Sequence, residues 1–138
     1  MADIRVVTDR FSVAPQIAVE DLAQLAAAGY VHIINNRPDD ESEDQPSSGE
    51  MAAAAKAVGL TYVHEPFVGQ PTGEAVKAAM TASGKTLAFC RSGTRSVNAW
   101  AMAQANEGQD AQGIVEAAAE AGYNLSGMSG LLRQLGAR

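Results

Sequence analysis

Cys90 is the only cysteine among the 138 residues, and it ends an apolar run in the segment Leu87-Ala88-Phe89-Cys90-Arg91-Ser92-Gly93-Thr94-Arg95-Ser96. A strand ending at Cys90 would deliver its sulfur to a loop of consecutive backbone N–H groups. A helix beginning near Arg95 would aim its positive dipole end at the same point. Both arrangements favour a thiolate, and Arg91 and Arg95 add guanidinium charge that can bind an anion in a bidentate way. Gly93 permits a backbone angle that lets the amides of Ser92, Gly93 and Thr94 converge. A cysteine serving only as a small core hydrophobe has no use for a glycine-containing loop with two arginines behind it. With one cysteine no internal disulfide can form, so any oxidised or sulfur-loaded state resides on Cys90 or involves a second molecule.

The elements that must hold this loop follow from periodicity. Residues 4–7 and 11–13 suggest a short N-terminal hairpin. Residues 20–28 carry Leu22, Leu25 and Ala26 at helical spacing and stop at Gly29, after which 30–34 reads as a buried strand. Residues 35–49 read as loop, with Pro38, Pro46 and five acids among the six residues 39–44. An alanine-rich helix over 50–58 leads through Gly59 to a strand over 60–63. A loop over 65–71 precedes a helix over 72–82, with Thr72 as its N-cap. The strand over 85–89 delivers Cys90, and helices follow over 95–105, 111–121 and 128–135. Alternating strands and helices predict one three-layer α/β domain over 1–138, a central mostly parallel sheet with helices on both faces. In such sheets ligands gather at the carboxyl ends of the strands, where Cys90 falls.

Composition limits the partners. A formal charge of −6 and a pI near 4.8 argue against nucleic acid. No apolar stretch approaches the ~20 residues of a membrane span, and Met1-Ala2-Asp3-Ile4-Arg5 has no signal-like apolar core, so the expected location is cytoplasmic.

The sequence resembles the bacterial beta-lactamase-hydrolase-like, phosphatase-like domain family, whose members have been described both as sulfurtransferases and as protein-tyrosine-phosphatase-like proteins. The resemblance runs through Ala14-Pro15-Gln16, Asn36-Arg37-Pro38-Asp39, Gln45-Pro46, Tyr62-Val63-His64 with Pro66, and above all Cys90 to Ser96. It implies a fold like that of dual-specificity phosphatases, with the anion loop between a strand and a helix. It also implies that Arg95 is the arginine whose fork faces the pocket. Ser96 matches the hydroxyl residue that hydrogen-bonds the thiolate in tyrosine phosphatases; its other reading is an ordinary first-turn serine.

Two features separate the candidate chemistries. Tyrosine-phosphatase loops place five residues between cysteine and arginine, whereas rhodanese-type loops hold four, as here. The loop that supplies the aspartate acid of dual-specificity phosphatases corresponds to 65–71, which contains no aspartate, and Phe89 stands where most tyrosine phosphatases have histidine. Sulfur transfer needs no proton donor, since a thiolate attacking a thiosulfonate or persulfide expels a weakly basic anion. The expected function is therefore a cofactor-free sulfurtransferase working through a Cys90 persulfide, with a small anionic sulfur donor and a thiol acceptor. Arg95 would hold the leaving anion, and Arg91 would add affinity. The alternatives are a phosphatase acting on a phosphorylated substrate through a Cys90 phosphocysteine, with Glu65 or Asp39 as acid, and a non-catalytic anion-binding module.

The remaining polar residues carry weaker expectations. Arg37 and Asp39 suggest a loop-stabilising pair in an Arg-Pro-Asp turn, with a catalytic role for Asp39 as the other reading. His64 follows a strand and would line the pocket or serve structurally. No second histidine, cysteine or carboxylate lies at ligand spacing from it, so no metal site is expected. The acidic run 39–44 reads as a solvated loop, His32 as packed within its strand and Trp100 as core.

Overall fold

The computed structural model describes residues 2–138. Its sheet is built from β1 (Arg5–Val6), β2 (Phe11–Ala14), β3 (His32–Asn35), β4 (Thr61–His64) and β5 (Thr86–Phe89), in the order β1-β2-β5-β3-β4. The predicted hairpin is present, with β1 antiparallel to β2, and every other pairing is parallel. β5 lies at the centre and is buried along its whole length, as expected of a near-continuous apolar run covered on both faces.

Alternate residues along these strands enter two cores. Val13, Ile34 and Ala88 face one side, where α3 (Gly73–Thr81), α4 (Thr94–Asn106), α5 (Ala111–Glu120) and α6 (Ser129–Gln134) pack. Trp100 is buried there against Phe11, with ring centroids 6.5 Å apart. Ala14, Ile33, Leu87 and Phe89 face the other side, covered by Leu22 and Leu25 of α1 (Asp21–Ala27) and Met51 and Ala55 of α2 (Ser48–Ala57). This arrangement is the predicted three-layer, mostly parallel α/β fold.

Two boundaries moved for local reasons. α2 begins at Ser48 rather than residue 50, because Ser47 accepts the Glu50 N–H and Glu50 reaches back to the Ser47 N–H, a capping box. α4 begins at Thr94, immediately after Gly93 at φ 93°.

Register fixes what gathers at the carboxyl edge. Phe89 pairs with Ala14 on one side and Asn35 on the other, and Asn35 also pairs with His64. The residues after these four strand ends, including Gln16, Asn36, Glu65 and Cys90, therefore enter one rim. Backbone bonds continue past the strands: Asn36 N–H donates to Phe89 O at 2.8 Å, Glu65 N–H to Asn35 O at 2.9 Å, and Gln16 N–H to Arg91 O at 3.3 Å. A concavity of about 530 Å³ opens elsewhere, between the opposite strand ends and α3 and α4, with Arg10, Phe11, Gly84 and Thr86 in its wall.

Candidate active site around Cys90

Cys90 is buried at the end of β5, and its sulfur accepts the Gly93 N–H at 3.1 Å. Only this amide among the three expected donors turns to the sulfur. Thr94 N–H goes to the Ser92 hydroxyl at 3.4 Å, and that hydroxyl donates to Thr94 Oγ1 at 3.1 Å, so these two residues brace the loop from its exposed side. Gly93 sits at φ 93° and is buried. That conformation lets a four-residue spacer close over the sulfur.

Arg95 is fixed by two acceptors on its outer end. Nη1 donates to Glu41 Oε2 at 2.9 Å and to the Phe67 carbonyl at 3.1 Å, and Nη2 donates to Glu41 Oε1 at 2.8 Å. Both Nη1 protons and one Nη2 proton are then engaged, which leaves the Nε–H and the second Nη2–H as a side-on fork with no oxygen acceptor among the described residues. The guanidinium pKa is raised, first by the Glu41 hydrogen bonds and further by the charge of the nearby Cys90. Arg91, by contrast, is exposed and forms no side-chain hydrogen bond or ion pair among the described residues; it contributes its carbonyl to Gln16.

Glu41 was hidden in the acidic run expected to be solvated. It bridges Arg95 and Arg37, whose Nε donates to Glu41 Oε1 at 2.9 Å. The expected Arg37–Asp39 pair does not form. Arg37, only 4% exposed, also donates to Gln16 Oε1 at 3.0 Å, while Asp39 accepts the Ser48 N–H at 2.8 Å near the start of α2. A helix N-terminus offers Asp39 unsatisfied N–H groups, and the longer Glu41 side chain spans the two arginines instead.

The Arg95 and Arg37 hydrogen bonds lower the Glu41 pKa from the ordinary 4.5 to about 2, with partial burial opposing them. Because the folded value lies below the unfolded one, the stabilisation is complete above about 4.5 and is lost as pH falls towards about 2. The thermal midpoint should fall through that window. Glu41→Gln should flatten this part of the profile and cost about 2 kcal/mol at neutral pH, since two guanidinium groups lose a charged acceptor. A variant with an unchanged acid limb would show that the pair does not couple to folding.

Ser96 is buried, but its hydroxyl donates to Asn36 Oδ1 at 2.8 Å rather than to Cys90. Asn36 Nδ2 in turn donates to Glu65 O at 2.9 Å, so Ser96 ties α4 to the ends of β3 and β4. His64 has its Nε2 against Arg37 O at 2.8 Å, a structural contact. Glu65 is half-buried, and its carboxylate has no hydrogen-bond or ion-pair partner among the described residues. Among the described residues no cluster of three metal-binding side chains occurs, and no helix is long and apolar enough to cross a membrane.

Residues 3–107 match the phosphatase-like domain of beta-lactamase hydrolase-like proteins. The chain belongs to this family. A beta-lactamase hydrolase-like protein of Xylella fastidiosa is 33% identical over 125 residues, covering 86% of this chain; the chain spans only 29% of that relative's length. The crystal structure of a candidate phosphatase from Neisseria meningitidis superposes with a TM-score of 0.79 at 29% identity, over 96% of this chain and 97% of that one. PTPMT1 in complex with PI(5)P shares the fold, with a TM-score of 0.70 at 14% identity over 96% of this chain and 93% of that one.

These relationships overturn the sulfurtransferase expectation. The family and the Neisseria structure are phosphatase-like, and the scaffold around Cys90 follows them. Residue count between cysteine and arginine misled because it does not measure the cradle: Gly93 already brings an amide to the sulfur, and Glu41 and Phe67 set the arginine.

Proposed function

We propose that this domain is a phosphomonoester hydrolase of the tyrosine-phosphatase type, acting through a Cys90 phosphocysteine. The observation that carries the reading is the pairing of the Gly93 N–H, held on Cys90 Sγ, with an Arg95 guanidinium whose pKa is raised by the Glu41 hydrogen bonds that anchor its other end and by the charge of the nearby Cys90. The inner fork matches two oxygens of a phosphoryl group, and the loop amide and the N-terminus of α4 add to the same field.

In the first step the Cys90 thiolate forms a bond to phosphorus as the ester P–O bond breaks, and the departing oxygen takes a proton. Glu65 is the proposed donor. It heads the loop whose Phe67 carbonyl holds Arg95, and its carboxylate has no competing partner among the described residues, whereas Asp39 is committed to Ser48. In the second step water attacks phosphorus and gives its proton to Glu65 while the S–P bond breaks, releasing inorganic phosphate. Arg91, exposed at the mouth, would steer the anion without holding it. The substrate is a phosphorylated molecule; no cofactor enters the scheme.

The test uses leaving groups. Glu65→Gln should slow the first step, read as the pre-steady-state release of the leaving group, by about 10²-fold for an alkyl phosphate and by less than about tenfold for p-nitrophenyl phosphate, whose phenolate leaves without protonation. Equal small losses on both esters would remove Glu65 from the proton-donor role. Turnover of thiosulfate with cyanide but of neither ester would defeat the hydrolase reading.

A further inference from the structure

The peptide unit between Ser92 and Gly93 is gripped from both sides. Its N–H donates to Cys90 Sγ at 3.1 Å, and its C=O accepts the Tyr123 hydroxyl at 3.0 Å. A trans peptide is planar, with N–H and C=O pointing in opposite directions, so fixing the carbonyl outward fixes the N–H inward. Nothing in the covalent chain enforces that orientation. Gly93 occupies φ 93° and, as glycine, populates the opposite hand about as readily. A flipped peptide would turn a carbonyl dipole on the thiolate instead of a donor.

The hydroxyl is itself well placed. Tyr123 follows α5, its N–H donates to Ala118 O at 2.9 Å, and the Arg5 guanidinium lies 5.9 Å from its ring centroid while donating to Ala121 O at 3.2 Å. Burial raises the phenol pKa, which Arg5 opposes and the Cys90 charge reinforces, so the hydroxyl remains a donor. A Cβ on Gly93 would collide with this hydroxyl, which shows how closely tyrosine and loop are fitted. Tyr123 lies outside the segment 3–107 that the family match covers.

We propose that Tyr123 is a positioning residue: its hydroxyl locks the Ser92–Gly93 peptide with the N–H facing Cys90, and so sets both thiolate reactivity and the cradle for a transferring phosphoryl group. The phosphoryl half of this inference rests on the hydrolase reading above; the thiolate half does not.

Tyr123→Phe removes the hydroxyl and keeps the ring. The pH profile of Cys90 alkylation by iodoacetamide should move to higher pH, with the neutral-pH rate down about fivefold to tenfold, since one hydrogen bond to the anion is no longer held. Hydrolysis of p-nitrophenyl phosphate should lose about tenfold in kcat with KM little changed, because the amide acts most strongly on charge developing in the transition state. Tyrosine serving only as packing would leave the alkylation profile where it is, and that result would overturn the inference. A shifted profile in a protein that hydrolyses no ester would keep the positioning role and reject the hydrolase. Amide hydrogen exchange on the unmodified protein provides a second measurement should the variant not fold. Gly93 N–H should exchange far more slowly than the amide of exposed Ser92, and equal rates would sink the proposal.

Discussion

Cys90→Ser is expected to abolish hydrolysis of p-nitrophenyl phosphate, by about four orders of magnitude or more. Serine conserves the size of the group but not its ionisation: a hydroxyl beside the Gly93 amide and the Arg95 guanidinium stays protonated at neutral pH, and no base hydrogen-bonds this position among the described residues to take the proton. The amide that now meets Sγ at 3.1 Å would still face the pocket, so phosphate binding should survive the substitution. That split between lost turnover and retained binding identifies a nucleophile. Residual turnover within about tenfold of the original would move the covalent step off Cys90.

The second large effect is expected at Arg95. Arg95→Lys keeps one charge but replaces a planar fork by a point donor that cannot meet Glu41 Oε1, Glu41 Oε2 and Phe67 O while also presenting two donors inward. Loss of about 10³-fold in kcat follows from removing bidentate support of the transferring group. Arg91→Lys, at an exposed side chain, should change kcat/KM by less than about threefold, mainly in its salt dependence. Comparable losses at both positions would mean that the pocket faces Arg91 as well, contrary to the fixed geometry of Arg95.

The sequence made the frame of this site legible because its determinants are local. Apolar runs with turn residues between them marked the five strands and six α-helices of the described residues to within a few residues, and Gly93 three residues after a cysteine at a strand end announced a tight loop. What stayed hidden depends on chain paths. Glu41 differs in no visible way from the other acids of 39–44, and only the fold carries it across 54 positions to Arg95. A clue existed in its four-residue separation from Arg37, but that spacing has meaning only on a helix, and this segment is a loop. Tyr123 reaches Ser92 from 31 positions away, after a helix that gives no hint of which loop it approaches. The chemistry was misjudged for a related reason: four residues between Cys90 and Arg95 is a property of the chain, whereas the cradle is a property of how Gly93, Glu41 and Phe67 bend and anchor it.

The most direct measurement is acid quenching of the protein during turnover of p-nitrophenyl phosphate, followed by mass spectrometry of the peptide containing Cys90. The account predicts one added phosphoryl group on that peptide, increased in Glu65→Gln, where the carboxylate that would deprotonate the attacking water is gone, and absent in Cys90→Ser. Release of p-nitrophenol with no phosphoryl adduct on Cys90 in any of these proteins, or a single sulfur atom acquired there from thiosulfate in place of it, would contradict the phosphocysteine route.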